Sequence, residues 1–517
     1  MPKMMHPEDR EKAKDADVCI ILEGTYPFVS GGVSAWVHDL IGSLPEVTFH
    51  LVSIIPPQQG RKHIYKLPVN VIDHSVIVIP LSHPGMGNRH IKAEIATLMK
   101  RIGSTLEELL EHGQLEHLSR LNQLLAPVRQ KVGRRILQDS YLSWQMQLDI
   151  YQKMLPSHSF LDFFWSFRSL IGSLFGIMLA PLPKARVYHT ISTGYAGLLA
   201  ARARLETGRP AIITEHGIYT NERRIEIGMA SWLHDDDVEQ GLHIDMDRVN
   251  LKHLWINFFH VYSRICYSAC SRILTIYEGN QPFQIDDGAD PSRMSVIPNG
   301  IDFDLYAHIR PRSTPHPPTV GFIGRVVPIK DVKTLLRAMG KLKAVVPDLQ
   351  VLVMGPTEED EDYYYECLAM TTYLGLQETV RYLGRVKVLD YLHQLDVIVL
   401  TSISEGQPLV ILEAGAAGIP TVATDVGACR EMILGRSDEH PPLGPGGGVS
   451  PVTDPVAIAN ELAKLLRNQA WWEQCSHAIR ERVRIYYNKR DLQAAYRTIY
   501  CEEINQESHP PQTKETI

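Results

Sequence analysis

Short apolar runs bounded by glycine, proline and polar residues recur along the chain, separated by segments of helical spacing. Residues 18–22 form the first such run and read as a buried strand. A loop through Gly31 and Gly32 follows, then a helix over 33–44 and a second strand over 47–54. Another strand is expected at 76–81. This rhythm of strand, loop, helix and strand is that of a parallel α/β sheet. Between 90 and 182 the period changes. Ile95, Leu98, Leu106, Leu109, Leu110, Leu115 and Leu118 recur at helical spacing, which predicts a helical insertion in the first α/β domain. The sheet pattern returns at 187–190, 211–214, 273–277 and 294–297.

A turn signal at Pro298-Asn299-Gly300 and a proline-rich stretch over 310–318 mark the best domain boundary. A second α/β unit then begins, with strands at 319–323, 350–354, 380–383, 397–400 and 421–424. The expected organisation is a flexible N-terminus over 1–15, a first Rossmann-like domain over 16–300, a linker over 301–318 and a second Rossmann-like domain over 319–487. Helices over 488–505 and a disordered polar tail over 506–517 complete it.

Composition narrows the function classes. The 517 residues are too many for one ordinary domain, and 44% apolar content can fill real cores. A net charge of -7 offers no basic field to recruit nucleic acid. Seven cysteines without a Cys-x-x-Cys pair point to a reducing compartment and against a disulfide framework or zinc ribbon. The first residues lack the apolar core of a signal peptide, and no apolar run reaches the roughly 18–20 residues of a membrane span. Residues 170–181 come nearest and read as a buried helix or a membrane-surface contact. No cluster has metal-ligand spacing. The acidic run 358–362 reads as a solvated face, and the glycines of 444–448 as a flexible turn.

The most informative stretch is 402–425. A buried strand enters a Ser/Glu/Gly loop, and Pro408 starts a helix. Backbone N–H groups at that helix start suit an anion. Two carboxylates, Glu405 and Glu413 with seven residues between them, do not. A ligand carrying both phosphates and hydroxyls uses both features, and a nucleotide-sugar is such a ligand. Capping of the helix is the bland alternative. A second motif, Gly324-Arg325 followed by Lys330, comes directly after a strand. The two cations can converge on a diphosphate leaving group, or they are surface charges near a helix start. Gly31-Gly32 lets backbone approach a ligand, or serves a plain turn. His216 also follows a strand end, beside Tyr219, Asn221, Glu222, Arg223 and Arg224. The loop from His189 to Gly194 is similar.

These motifs resemble the retaining glycosyltransferases of family 4, over about residues 295–490. Residues 22–36 and 214–224, with the helical insertion, extend the resemblance to the cytosolic members that serve bacterial Pel exopolysaccharide synthesis. The resemblance implies an α/β GT-B fold: two Rossmann-like domains facing across a cleft, the second binding the donor, the first on the acceptor side. It implies no metal and no cofactor. Arg325 and Lys330 would hold the diphosphate, Glu413 the ribose and Glu405 the donor sugar, with His216 near that sugar. Gly324, Gly406, Gln407, Pro408 and Leu409 would lie along the donor, with the base near Gly355, Arg385 and Val386. Gln407 stands where many relatives carry Phe. The absence of a lysine before Gly31-Gly32 argues against a glycogen synthase. The final helices would cross back to the first domain. Implied partners are a UDP-sugar, a glycan acceptor and inner-membrane Pel proteins, with a cytoplasmic position peripheral to that membrane. The reaction would be hexosyl transfer from UDP-glucose or a UDP-N-acetylhexosamine. The alternatives are a UDP-sugar 2-epimerase of the same fold and a non-catalytic nucleotide-sugar-binding subunit of a membrane synthase.

Overall fold

A computed structural model describes residues 15–24, 26–29, 31–57, 62–85, 93–229, 251–309 and 315–506. The expected flexible N-terminus lies outside the described residues, apart from residue 15, and so does the tail from 507. The chain divides into two compact units. One comprises the residues up to Thr275, Asn280–Val296 and those from Tyr496 onward; the other comprises Ile276–Gly279 and Ile297–Ala495.

The first unit is built on seven parallel strands: β1 (Ala16–Glu23), β2 (Phe49–Ile55), β3 (Val71–Val78), β4 (Ala185–Thr190), β5 (Ala211–Glu215), β6 (Arg272–Thr275) and β7 (Met294–Val296). Their order across the sheet is β3-β2-β1-β4-β5-β6-β7. β1 is apolar on both faces because helices cover both. Helix Gly32–Ser43 follows it and buries Val37, Leu40 and Ile41. β3 lies earlier than the expected 76–81. It is a half-exposed edge strand with Asp73, His74 and Ser75 in it, so its apolar pattern is weak.

The insertion is helical as expected. Helices Ala93–His112, Leu115–Leu125, Tyr141–Met154 and Phe160–Leu179 share one core with Cys19, Ile21 and Val52 through Ile102, Leu106, Leu118, Leu121 and Phe167. Phe160–Leu179 is long and apolar enough to cross a membrane by composition, longer than the run of 170–181 suggests. Every residue from Leu170 to Met178 is buried, which makes it a core helix.

The second unit holds six parallel strands: β8 (Thr319–Ile323), β9 (Gln350–Met354), β10 (Val380–Gly384), β11 (Val397–Leu400), β12 (Thr421–Thr424) and β13 (Gly447–Ser450), in the order β10-β9-β8-β11-β12-β13. Alternation along the strands sends Val351, Val353, Val397 and Val399 into one core and Leu352, Met354, Ile398 and Leu400 into another. Two expectations are corrected here. The glycines near 444–448 are not simply a flexible turn, since Gly447 opens β13 at φ 154 and pairs with Thr421 of β12. A Cβ there would collide with the Thr421 carbonyl, so close backbone approach is what the glycine serves. Residues 301–309 are not linker. Ile301 bridges to Asn488, helix Phe303–Ala307 follows, and Ile301 and Phe303 are buried in the second unit.

Both sheets reverse strand order once, between β1 and β4 and between β8 and β11. In open α/β sheets ligands bind outside the carboxyl ends of the strands at that switch. The candidate residues sit at both places.

Candidate functional site

In the second unit, the loop after β8 is pinned to its neighbours by backbone. Gly324 N–H donates to Met354 O at 2.9 Å, Val326 N–H to Pro356 O at 3.0 Å, and Gly355 N–H to Gly384 O at 2.9 Å. Gly355 has φ 153, and a Cβ there would collide with the Gly324 carbonyl. Gly355 is therefore the joint that lets the ends of β8, β9 and β10 lie against each other. Gly324 itself has ordinary room for a Cβ.

Lys330 ends a short turn, Pro328–Lys330. Asp331 follows at φ 45 and caps helix Val332–Lys343 by accepting from Thr334 N–H. The Thr401 hydroxyl, just past β11, donates to the carbonyls of Lys330 and Asp331 at 2.9 and 3.0 Å. The lysine is thus fixed across the switch point. Its Nζ donates to Glu405 Oε1 at 2.5 Å, and Ser402 Oγ donates to the same oxygen at 2.6 Å. The lysine and glutamate side chains keep only 21% and 11% of their exposure, so each charge needs the other. The Glu405-Gly406 segment is held by Gly427, whose φ is 53 and where a Cβ would strike both carbonyls. Ala428 N–H also donates to Gly406 O at 2.8 Å.

Pro408 precedes helix Leu409–Ala416, which has no acid in its first turn. Glu413 lies within that helix. Burial raises its carboxyl above the usual range, opposed by a hydrogen bond with the Tyr306 phenol. Tyr306 escaped the sequence reading because it lies 107 residues away in a segment read as linker. Gln407 has its partner within the unit. Its side-chain oxygen accepts from Asn299 N–H at 2.7 Å and its amide donates to Asn299 O at 3.3 Å, so the side chain is engaged with backbone. Leu409 and Val386 pack partly buried on the core below.

Arg325 and Lys330 do not share a partner. Arg325 pairs with Glu359, and Arg385 pairs with Glu358 at 3.4 Å. The acidic run is therefore more than a solvated face: Glu358 and Glu359 neutralise two candidate donor-binding arginines, and Asp360 caps helix Glu361–Tyr373. Among the described residues no three His, Cys, Asp or Glu side chains gather as a metal site.

In the first unit, Glu23 ends β1 and His216 follows β5. Both line a cavity of about 470 Å³, with Ser192, Tyr219, Glu222 and Arg223. The His216 ring meets Trp36 edge-on at 4.6 Å, and its Nε2 is shielded without a hydrogen-bond partner among the described residues. Burial lowers its pKa to about 4, so it is neutral at pH 7. Asn221 and Arg224 pair with each other on the surface at 3.1 Å. His189 is a core residue: fully buried, it bonds Tyr500 OH at 2.7 Å through Nδ1 and Thr214 Oγ1 at 2.9 Å through Nε2. Gly31 and Gly32 sit at the start of helix Gly32–Ser43, and a Cβ on either would meet nothing within 4 Å. Internal packing does not demand glycine at either position.

Two parallel sheets of this order define the GT-B class of fold. HepE of Anabaena, solved in complex with UDP, matches with a TM-score of 0.56 and 14% identity, covering 94% of this chain and 100% of that one. Sucrose-phosphate synthase of Thermosynechococcus elongatus matches equally, at 0.56 and 14%, covering 94% of this chain and 99% of that one. Residues 317–468 match the model for glycosyl transferases group 1. The chain belongs to the DUF3492 family, a domain of unknown function whose model spans residues 16–292. D-inositol 3-phosphate glycosyltransferase of Mycobacterium sp. (strain KMS) is 35% identical over 166 residues, 28% of this chain and 36% of that protein. Its counterpart in Kineococcus radiotolerans is 30% identical over 202 residues, 35% of this chain and 46% of that protein. The chain thus covers less than half the length of either relative.

Proposed function

We propose that the protein is a retaining glycosyltransferase that moves a hexosyl unit from a UDP-sugar to a growing exopolysaccharide of the Pel type. The observation that carries this reading is the Lys330–Glu405–Ser402 cluster at the second unit's switch point. A lysine held by a carboxylate there is poised to be shared with a diphosphate. Charge that develops on the departing UDP is stabilised by Lys330, and by Arg325 once it leaves Glu359. Glu405 faces the sugar and Glu413 the ribose, each accepting from hydroxyls. Gly406, Pro408 and Leu409 present backbone at a helix start, where an anion is favoured. Neutral His216, near the donor sugar in this reading, can accept or donate one hydrogen bond where donor and acceptor meet. No carboxylate is assigned as a nucleophile on the opposite face, so front-face transfer assisted by the leaving group fits better than double displacement.

The UDP carried by HepE and the activities named for the curated relatives support this reading. The N-terminal motifs, which resemble those of PelF, favour exopolysaccharide over a soluble acceptor, UDP-glucose or a UDP-N-acetylhexosamine as donor, and work in the cytoplasm beside inner-membrane Pel proteins. A panel of UDP- and ADP-sugars, scored for binding and released nucleotide, tests it. UDP release from one UDP-sugar, with product of retained configuration, is expected. Tight UDP binding with no turnover across the panel and a glycan acceptor would point instead to a binding subunit.

A further inference from the structure

The cavity of the first unit has a composition that speaks to its ligand. It lies at the switch between β1 and β4, and its volume of about 470 Å³ suits a small ligand or the end of a larger one. Part of the lining is aliphatic: Ile54, Ile55, Pro56 and Ile191. The rest is largely polar, and its charge is lopsided. Glu23 is held by Tyr219 OH at 2.6 Å and by Ala196 N–H at 3.4 Å. Glu222 is the second carboxylate. Among the described residues, the one lining cation is Arg223, which lies over the Tyr219 ring and is paired with Glu226 at 2.8 Å. His216 and the phenols of Tyr195 and Tyr219 are the other titratable groups in the lining.

The glycines show that this arrangement is built. A Cβ at Gly194 would collide with the Tyr219 ring and come within 2.7 Å of Glu23 Oε2. A Cβ at Gly217 would come within 2.3 Å of Glu222 Oε1. Neither glycine has a positive φ, so room for these side chains is what each supplies. Two further polar atoms, Ser192 Oγ and His216 Nε2, are shielded from solvent with no hydrogen-bond partner among the described residues. Buried polar groups in folded proteins are satisfied by something.

We propose that this cavity binds the terminal sugar of an uncharged glycan and rejects acceptors bearing phosphate or carboxylate, with Glu23 as the specificity-determining residue. The inference rests on the glycosyltransferase reading above and names its acceptor class. A sugar ring lays its C–H face on the aliphatic residues and its hydroxyls on Glu23, Ser192 and His216. A phosphate in the same place would meet Glu23 and Glu222 with no unpaired cation among the described lining residues to offset them.

The test uses the full chain and direct binding, by calorimetry and ligand-observed NMR. Chitotriose and cellotriose are the neutral probes; glucose 6-phosphate and D-inositol 3-phosphate are the anionic ones. At least one trisaccharide is expected to bind, and more tightly than either phosphate. Glu23→Gln, with an unchanged melting temperature, is expected to weaken that trisaccharide about tenfold, the usual cost of removing a hydrogen bond to a charged group. Glu222→Gln, at the rim and without that carboxylate's buried contacts, is expected to narrow the gap between neutral and anionic probes, and serves if Glu23→Gln does not fold. Equal or tighter binding of a phosphate, no binding of either trisaccharide, or a trisaccharide affinity indifferent to both variants would overturn the proposal. UDP titrated alone reports separately on the donor reading: no UDP binding with trisaccharide binding intact sinks that reading and leaves this one standing.

Discussion

The buried His189 makes a pH prediction whose size follows from its surroundings. Burial, with neighbouring His216 adding to it, drives its pKa from the ordinary 6.5 to about 3. Between those values the unfolded chain binds a proton that the folded chain refuses. Stability from this group is therefore complete above 6.5 and is lost as the pH falls toward 3. Each unit below 6.5 costs about 1.4 kcal/mol, so at about pH 5 the loss is about 2 kcal/mol. Other groups pull the opposite way: Glu215 and Glu431, raised to about 7 mainly by burial, favour the folded state at low pH and lose that contribution as pH rises. The absolute pH profile therefore mixes signs, and the informative quantity is a difference. His189→Gln keeps a side chain able to bond Tyr500 or Thr214 and removes the titration. Urea unfolding followed by tryptophan fluorescence, at about pH 7.5 and about pH 5, gives the gap between wild type and variant. The gap should shrink by about 2 kcal/mol at the lower pH. An unchanged gap would mean that His189 takes up its proton alike in the folded and unfolded chain.

Three shorter predictions follow from the second unit. Gly355→Ala, which drives a methyl into the Gly324 carbonyl at a φ suited to glycine, should cost more than the roughly 1–3 kcal/mol of ordinary overpacking and weaken UDP binding; thermal melts and calorimetry check both. Arg482 is fully buried, bonds Glu439 through Nε at 2.7 Å and donates to Ile433 O at 2.9 Å, so Arg482→Ala should destabilise by about 3–5 kcal/mol in chemical unfolding. Glu359→Gln frees Arg325 from an exposed ion pair worth at most about 1 kcal/mol, and should tighten UDP binding by no more than a few-fold.

The sheets were legible because their strands are buried on both faces and so read as short apolar runs. Val397–Leu400 is the clearest case, each residue packed into one core or the other. β3 was misplaced because an edge strand with polar residues carries little such signal, and β13 was missed because its glycines pack backbone to backbone and bury few side chains. The pairing of Lys330 with Glu405 was within reach of the motifs, since both follow strands that are neighbours in the sheet. Tyr306 on Glu413, and Glu358 and Glu359 on the two arginines, were not. Those partners are set by where loops from distant segments meet, and periodicity does not record that. Glu23 was hidden differently: it ends an apolar strand, and only the fold shows it beside Tyr219, 196 residues on.

The central claim is that Lys330 serves a diphosphate leaving group at the switch between β8 and β11. The most direct measurement is steady-state turnover of the best UDP-sugar by wild type and Lys330→Ala, with melting temperatures to show that the unpaired Glu405 has not unfolded the variant. The account requires kcat to fall by about 10²–10³, the usual effect of removing one group that stabilises transition-state charge. An unchanged kcat in a folded variant would contradict it.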